Sequence, residues 1–307
     1  MKREDMWLYG IPRVGGKGLK AERIVEMLPE GKRLVDLFGG GGSISMQAAL
    51  SGKYEQVIYN DLDTSLVTLF KKLLSGDEID FKKYVLPKRD KFFYCRDEMP
   101  KNDLDRSIIL ICWSFSMNRK DFIWGKEKEK FYQTISRAMF YGDTGTKYDA
   151  LFKRCKDKNI EQSNLEFQKF AWEDGNEELL YPSKTRKTPV RKQLRQLEKL
   201  KRLESINDNA FKLDKIKCYS LDYRKLKIHQ DDVVFLDPPY INCSNMYEKD
   251  FDYEAFIDFY TNLPNKDVYI TEYTQLPNTE VIEILPGQKR FCAGAKKRDE
   301  LLLKVIK

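Results

Sequence analysis

Histidine is nearly absent from this chain: His229 stands alone in 307 residues. A single histidine speaks against a zinc site or a histidine-based catalytic triad, and with them against most hydrolase mechanisms. Cysteines number six (Cys95, Cys112, Cys155, Cys218, Cys243, Cys292), but no two have Cys-x-x-Cys spacing. Reduced, mainly structural thiols and no metal are expected. Long apolar runs are missing too. No stretch approaches the ~20 residues of a membrane span, and the first residues, Met-Lys-Arg-Glu-Asp-Met-Trp, lack an apolar signal core. A cytoplasmic protein without membrane contacts is expected. The four glycines Gly39 to Gly42 run into Ser43 and Ile44 without the Gly-Lys-Ser/Thr ending of a phosphate-cradling loop. No internal repeat is visible.

What is present suits a globular chain of one large or two modest domains. The hydrophobic fraction of 41% suffices for a core, and a net charge of +7 suits a polyanionic partner without demanding one. Leu19 to Leu28 has helical spacing and ends at Pro29. A strand over 32–38 follows, then the glycine loop, a helix over 44–50, a strand over 56–59 ending in Asn60-Asp61, and a helix over 64–74. Strand, glycine loop, helix, strand and acid form a βαβ unit that reads as a nucleotide-cofactor site. Strand patterns return at 216–220, 233–236 and 267–270, and strands at 281–285 and 301–306 are placed to form a closing hairpin. Between them the pattern is mostly helical. An apolar helix is expected over 108–117, helical spacing recurs over 127–140, and 141–189 reads as loops. Pro189 then starts a helix with Val190, Leu194, Leu197, Leu200 and Leu203 on one face. The expected architecture is one α/β domain, residues 1–78 and 206–307, with a helical insertion over 79–205.

Three constellations carry chemistry. In the first, the strand Val-Val-Phe-Leu runs into Asp237-Pro238-Pro239-Tyr240. Neither proline has an N–H, so a carboxylate, a backbone carbonyl and an aromatic ring are offered within one turn of chain. An exocyclic nucleobase amine needs such acceptors, because its lone pair is delocalised until hydrogen bonds to its protons favour a pyramidal nitrogen. Asp237 and the Pro238 carbonyl can accept those protons, and Tyr240 can hold a base turned out of the duplex. The alternative is a strand followed by a rigid turn. In the second, Gly39, Gly40 and Gly42 allow close backbone approach to a small zwitterionic cofactor, the alternative being a tight strand-to-helix turn. Asp36 can accept from the ammonium of S-adenosylmethionine, and Asp61 from ribose hydroxyls. Asp222, beside Tyr223, is a third strand-end acid suited to the cofactor's adenine amine. Lys17 can meet a carboxylate or stay solvated. In the third, residues 184–204 hold nine basic residues against two acids, an excess equal to that of the whole chain. Arg186, Lys187, Arg191, Lys192 and Arg195 lead this run and suit phosphate contacts; a solvated surface helix is the alternative.

Taken together, Gly-Gly-Lys (15 to 17), Asp-Leu-Phe-Gly-Gly-Gly-Gly-Ser (36 to 43), Asn-Asp-Leu-Asp (60 to 63), Leu-Asp-Tyr (221 to 223) and Asp-Pro-Pro-Tyr (237 to 240) resemble the Dam-like (D12 class) adenine-N6 DNA methyltransferases. Ile-Thr-Glu-Tyr (270 to 273) and Asp-Glu-Leu-Leu-Leu (299 to 303) resemble that family's closing strands. The resemblance implies a Rossmann-like sheet with an inserted target-recognition region, and methyl transfer from S-adenosylmethionine to a flipped-out adenine in double-stranded DNA, yielding S-adenosylhomocysteine. It implies a cofactor shell of Asp36, Leu37, Phe38, Gly39, Gly40, Gly42, Ser43, Asp61, Leu62, Asp222 and Tyr223, with Lys17 facing the cofactor or the target base. Asp237, Pro238, Pro239 and Tyr240 would form the catalytic motif, and a cognate restriction endonuclease is a partner such proteins can have. Arg13 departs from the pattern, standing where relatives often carry an aromatic ring. Cytosine N4 or RNA as target, and a catalytically idle DNA-binding regulator, remain the rival readings.

Overall fold

The computed structural model describes residues 7–85, 87–126, 129, 148–155, 162, 166, 169, 189–241, 251–287 and 298–307; at 82, 148, 151, 152, 155 and 189–197 it describes the backbone alone. The chain divides into two compact units, residues 1–77 with 205–307, and residues 78–204.

The first unit is built on a seven-stranded sheet in the order β3-β2-β1-β4-β5-β7-β6. The strands are β1 (Gly31–Asp36), β2 (Tyr54–Asn60), β3 (Ile216–Tyr219), β4 (Val233–Leu236), β5 (Val268–Glu272), β6 (Thr279–Leu285) and β7 (Glu300–Val305). The first five are parallel, and β7 pairs antiparallel with both β5 and β6. β4 and β5 are buried along their whole length, as expected of central parallel strands with both faces covered. Their Val234, Leu236, Val268 and Ile270 meet Val35, Ile58 and Leu303 in one core with Phe256 and Tyr260. Helices α1 (Ala21–Met27), α2 (Ser43–Leu50) and α3 (Thr64–Leu74) follow in the amino-terminal half. Asp63 caps α3 by accepting from the Ser65 and Leu66 amides. The result is a mixed α/β, Rossmann-like sheet.

In the second unit, α4 (Arg89–Asp97) packs on α5 (Leu104–Trp113), followed by α6 (Tyr148–Cys155) and by α7 (Pro189–Asp208) as far as Glu204. A further helix of the first unit, α8 (Tyr253–Asn262), is capped by Asp252. Three expectations are corrected here. The apolar helix over 108–117 starts earlier, at Leu104 behind the Asp103 cap, and stops at Trp113, because Ser114 is extended and Ser116 and Met117 are left-handed. The stretch read as loops contains α6, whose Asp149 in the first turn and Lys153 and Arg154 in the last suit the helix dipole. On α7, Leu200 and Leu203 are buried as the stripe predicts, but Lys199 turns inward and donates to the Cys112 carbonyl at 3.3 Å. Burial pulls its pKa down, so Lys199 is no outward base. Side chains of Val190, Leu194 and Leu197 lie outside the described residues. Nor is any described helix long and apolar enough to cross a membrane.

Candidate active site

Parallel strands deliver their carboxyl ends to one edge of a sheet. In this chain β1 ends in Asp36, β2 in Asn60 with Asp61 next, β3 precedes Asp222, and β4 runs into Asp237. Strand order reverses between β1 and β4, a switch point where open α/β sheets form a crevice. β7 runs the other way, so its first residue, Glu300, reaches the same edge beside the end of β5, where Glu272 pairs with Leu301.

The β1 side of the crevice is shaped by buried polar contacts. Asp36 is 1% exposed; its Oδ2 accepts from the Ser45 hydroxyl at 2.7 Å, and its Oδ1 has no hydrogen-bond partner among the described residues. Burial pushes the Asp36 carboxyl up to about 7; the Ser45 bond opposes this, and the charges of Asp237 and Asp61 add to it. Asp61 fastens the glycine loop: Oδ2 accepts from the Gly40 amide at 2.8 Å and Oδ1 from the Asp63 amide at 2.8 Å. Arg13 pairs with Asp61 at 3.5 Å, so the residue that departs from the sequence pattern still joins this edge. Asn60 stitches two strand ends together, donating to the Leu37 and Leu221 carbonyls and accepting from the Leu221 amide.

The glycines owe their identity first to the chain's own packing. A Cβ on Gly39 would stand 2.2 Å from the Tyr59 ring, and one on Gly42, at φ +79°, 2.6 Å from the Phe70 ring. The Tyr59 hydroxyl in turn donates to the Gly40 carbonyl at 2.7 Å. Leu37 and Ser43 are buried, whereas Leu62 is 63% exposed. Phe38 and Tyr223 meet at a ring separation of 5.2 Å, with Phe251 and Phe256 against both. Asp222 is engaged locally: both its oxygens accept from the Arg224 guanidinium, which holds the carboxyl down to about 2.

The β4 side is a charged knot. The Lys17 ammonium lies 2.7 Å from the Asp237 carboxylate and 3.2 Å from Glu300, and Thr271 donates its hydroxyl to Asp237 at 2.8 Å. Lys20 donates to the other oxygen of Glu300 at 2.6 Å, and the Tyr240 hydroxyl bonds Glu300 as well. Burial alone would lower the Lys17 pKa; the charges of Asp237 and Glu300 outweigh it and raise it. Burial also acts on Glu300, yet Lys17, Lys20 and Tyr240 pull its carboxyl below the usual range. Tyr240 is pushed well above its ordinary pKa by burial, then by Asp237 and Glu300.

Tyr240 departs from the open stacking platform expected of it. Its side chain is 7% exposed, the Lys17 ammonium stands 4.8 Å from its ring centre, and Tyr273 meets it edge-on at 4.7 Å. In this conformation the ring is covered. The Pro239 carbonyl accepts from the Tyr253 hydroxyl at 3.0 Å.

Of the residues expected to face DNA, Arg186 and Lys187 lie outside the described residues. Arg191, Lys192 and Arg195 fall on α7, their side chains outside the description. Reasoning from sequence overlooked Ser45, Asn60, Thr271 and Glu300 as members of this edge. Thr271 and Glu300 sat in motifs noted only as closing strands, and Ser45 was one helical turn past the glycine loop.

Comparison with known proteins identifies the family. The family model for the D12 class N6 adenine-specific DNA methyltransferase matches residues 14–273. A stretch of 59 residues is 39% identical to the DNA N-6-adenine-methyltransferase of Escherichia phage P1; it covers 19% of this chain and 7% of the phage protein. With the match running from before Lys17 to past Asp237 and Thr271, the chain belongs to the D12 class N6 adenine-specific DNA methyltransferase family.

Proposed function

We propose that this chain transfers a methyl group from S-adenosylmethionine to the N6 amine of adenine in double-stranded DNA, and that the Asp237 group is where transfer occurs. The observation that carries the reading is the Lys17 ammonium. An N–H donor already rests on the Asp237 carboxylate beside the Tyr240 ring, in the relation an adenine amine would adopt. The Pro238 carbonyl supplies a second acceptor, and a target amine bound to both would have its lone pair directed away from the ring.

The residues at the β1 side fit the cofactor. Asp36 Oδ1 is a buried carboxylate oxygen lacking a partner, which the ammonium of a bound amino acid would satisfy. When bound, S-adenosylmethionine supplies an electrophilic methyl group on a sulfonium. Gly39, Gly40, Gly42, Ser43, Leu37 and Phe38 would line it, with Asp61 and Leu62 toward the ribose and Asp222 and Tyr223 toward the adenine. The chain's own contribution is orientation and charge. Lys17 and the Thr271 hydroxyl donate to the Asp237 carboxyl group and orient it at the crevice. The amine must displace Lys17 to reach Asp237. After transfer one N6 proton is surplus; Asp237, 17% exposed, can receive it and release it to solvent.

The remaining assignments rest on the same reading. Residues 1–77 and 205–307 would form the catalytic unit, and 78–204 the target-recognition unit. Arg186, Lys187, Arg191, Lys192 and Arg195 would contact phosphates, in the cytoplasmic compartment that holds the DNA. A cognate restriction endonuclease would cut the same site only when it is unmodified. The test is incubation with unmethylated plasmid and S-adenosylmethionine, followed by nucleoside mass spectrometry. N6-methyladenine is expected. N4-methylcytosine would keep the chemistry and overturn the base, and modification confined to RNA would overturn the substrate.

A further inference from the structure

Glu300 occupies an unusual place for a residue at the start of an edge-proximal strand. Its side chain is 5% exposed and receives three donors: the Lys17 and Lys20 ammoniums and the Tyr240 hydroxyl. It lies beyond residue 273, where the family match ends, and reaches the crevice only because β7 is antiparallel to its neighbours. A buried carboxylate that gathers two cations is costly to build unless the cations need it.

The charge balance indicates what that need is. Lys17 and Lys20 are held by Asp237 and Glu300, and Glu272 and Asp36 are further buried carboxyls close enough to act on the same cluster. With Asp237 as its only anion, Lys17 would hold that carboxylate as tightly as any base amine could, and a neutral amine would displace it poorly. Glu300, 3.2 Å from the same ammonium, offers Lys17 a second anion. Releasing Asp237 then leaves no buried cation unpaired. The bond from the Tyr240 hydroxyl to Glu300 couples the aromatic ring to the same carboxylate.

We infer that Glu300 is a positioning residue which, through its charge, draws the Lys17 ammonium away from Asp237 so that the base amine can take its place. The inference rests on the proposed methyl transfer. Two variants separate charge from packing. Glu300→Gln keeps the side-chain length and an acceptor for Tyr240 but removes the charge; Glu300→Asp keeps the charge and shortens the reach. Plasmid methylation rates are measured for both and for the wild type, each normalised to the fraction of protein that binds S-adenosylhomocysteine. If the charge acts, the Gln variant loses at least about tenfold in kcat, the scale of one hydrogen bond to a charged group. Its affinity for S-adenosylhomocysteine stays at the wild-type value, and the Asp variant retains more turnover than the Gln variant. A packing role predicts the opposite ranking, with Gln better tolerated than Asp, and that ranking would overturn the inference. So would wild-type kcat in the Gln variant. The wild-type protein is the control for the functional reading itself: without methylated plasmid there, that reading fails, whichever way the variants rank.

Discussion

Replacing Asp36 by Asn should stabilise the protein without ligand while depriving it of its cofactor. In the folded state the Asp36 carboxyl is raised from 3.8 to about 7, chiefly because it is buried. A carboxyl raised on folding binds more protons folded than unfolded, so stability falls as pH climbs from the unfolded value to the folded one. Below about pH 4 the cost is absent. Above about pH 7 it is complete, at about 4 kcal/mol for a shift of this size. Between pH 5 and pH 8 the wild type should therefore lose about 3 kcal/mol through this residue alone. Asn at 36 cannot ionise and can still accept from the Ser45 hydroxyl, so that loss should disappear. Urea unfolding of both proteins at pH 5, 6, 7 and 8 reads the difference directly. Free energies that run parallel across this range would show that the carboxyl is not raised and would refute the reasoning. Ligand binding supplies a second arm, since only ionised Asp36 pairs with an ammonium. The Kd of S-adenosylhomocysteine for the wild type should rise about tenfold from pH 8 to pH 6. The Asn variant should bind weakly at both.

Three further outcomes are expected. Asp237→Ala should bind S-adenosylhomocysteine like the wild type and lose at least about a hundredfold in single-turnover methylation, the scale of removing one group aimed at the reacting atoms; near-normal turnover would sink the assignment. Changing Arg191, Lys192 and Arg195 together to Gln should weaken DNA binding and lower the magnitude of the slope of log affinity against log salt by about 3, if each meets one phosphate. An unchanged slope in a fluorescence titration at several salt concentrations would remove these residues from the interface. Gly39→Ala should cost about 1–3 kcal/mol in urea unfolding, because the new methyl overlaps a Tyr59 ring held by its bond to the Gly40 carbonyl. A variant as stable as the wild type would mean that the ring can move aside.

Local pattern made much of the fold legible. Short strand patterns announced β1, β2 and β4 and placed Asp61 and Asp237 at strand ends; Asp36 was read inside a strand over 32–38, and the structure ends β1 at Asp36, so that the three acids share one edge of the parallel sheet. Helix α3 was readable from its spacing over 64–74, and the structure adds the Asp63 cap. The reading failed where few signals are local. Helix α6 lay within a polar stretch of weak periodicity, and the end of α5 depends on left-handed residues at Ser116 and Met117 that residue type does not announce. Lys199, one of the nine basic residues of 184–204, is turned by the helix toward the Cys112 carbonyl, which its residue type does not announce.

At the site the division follows sequence separation. The sequence by itself determined which groups exist: the acids at the strand ends, the glycines at the first turn, the two prolines that leave a carbonyl without a local donor. Their identities and spacing are short-range properties. Tertiary structure alone decided how the groups are charged and whom they meet. Lys17 finds Asp237 across 220 positions and Lys20 finds Glu300 across 280, contacts that no window along the chain contains. Asp36 is raised because the sheet and α2 bury it, and Tyr240 is covered because Lys17, Tyr273 and Glu300 converge on it from three distant segments. A pKa and an ion pair depend on what surrounds a group in space, and for Lys17, Lys20 and Tyr240 that surrounding includes Glu300, brought to this edge by the antiparallel β7.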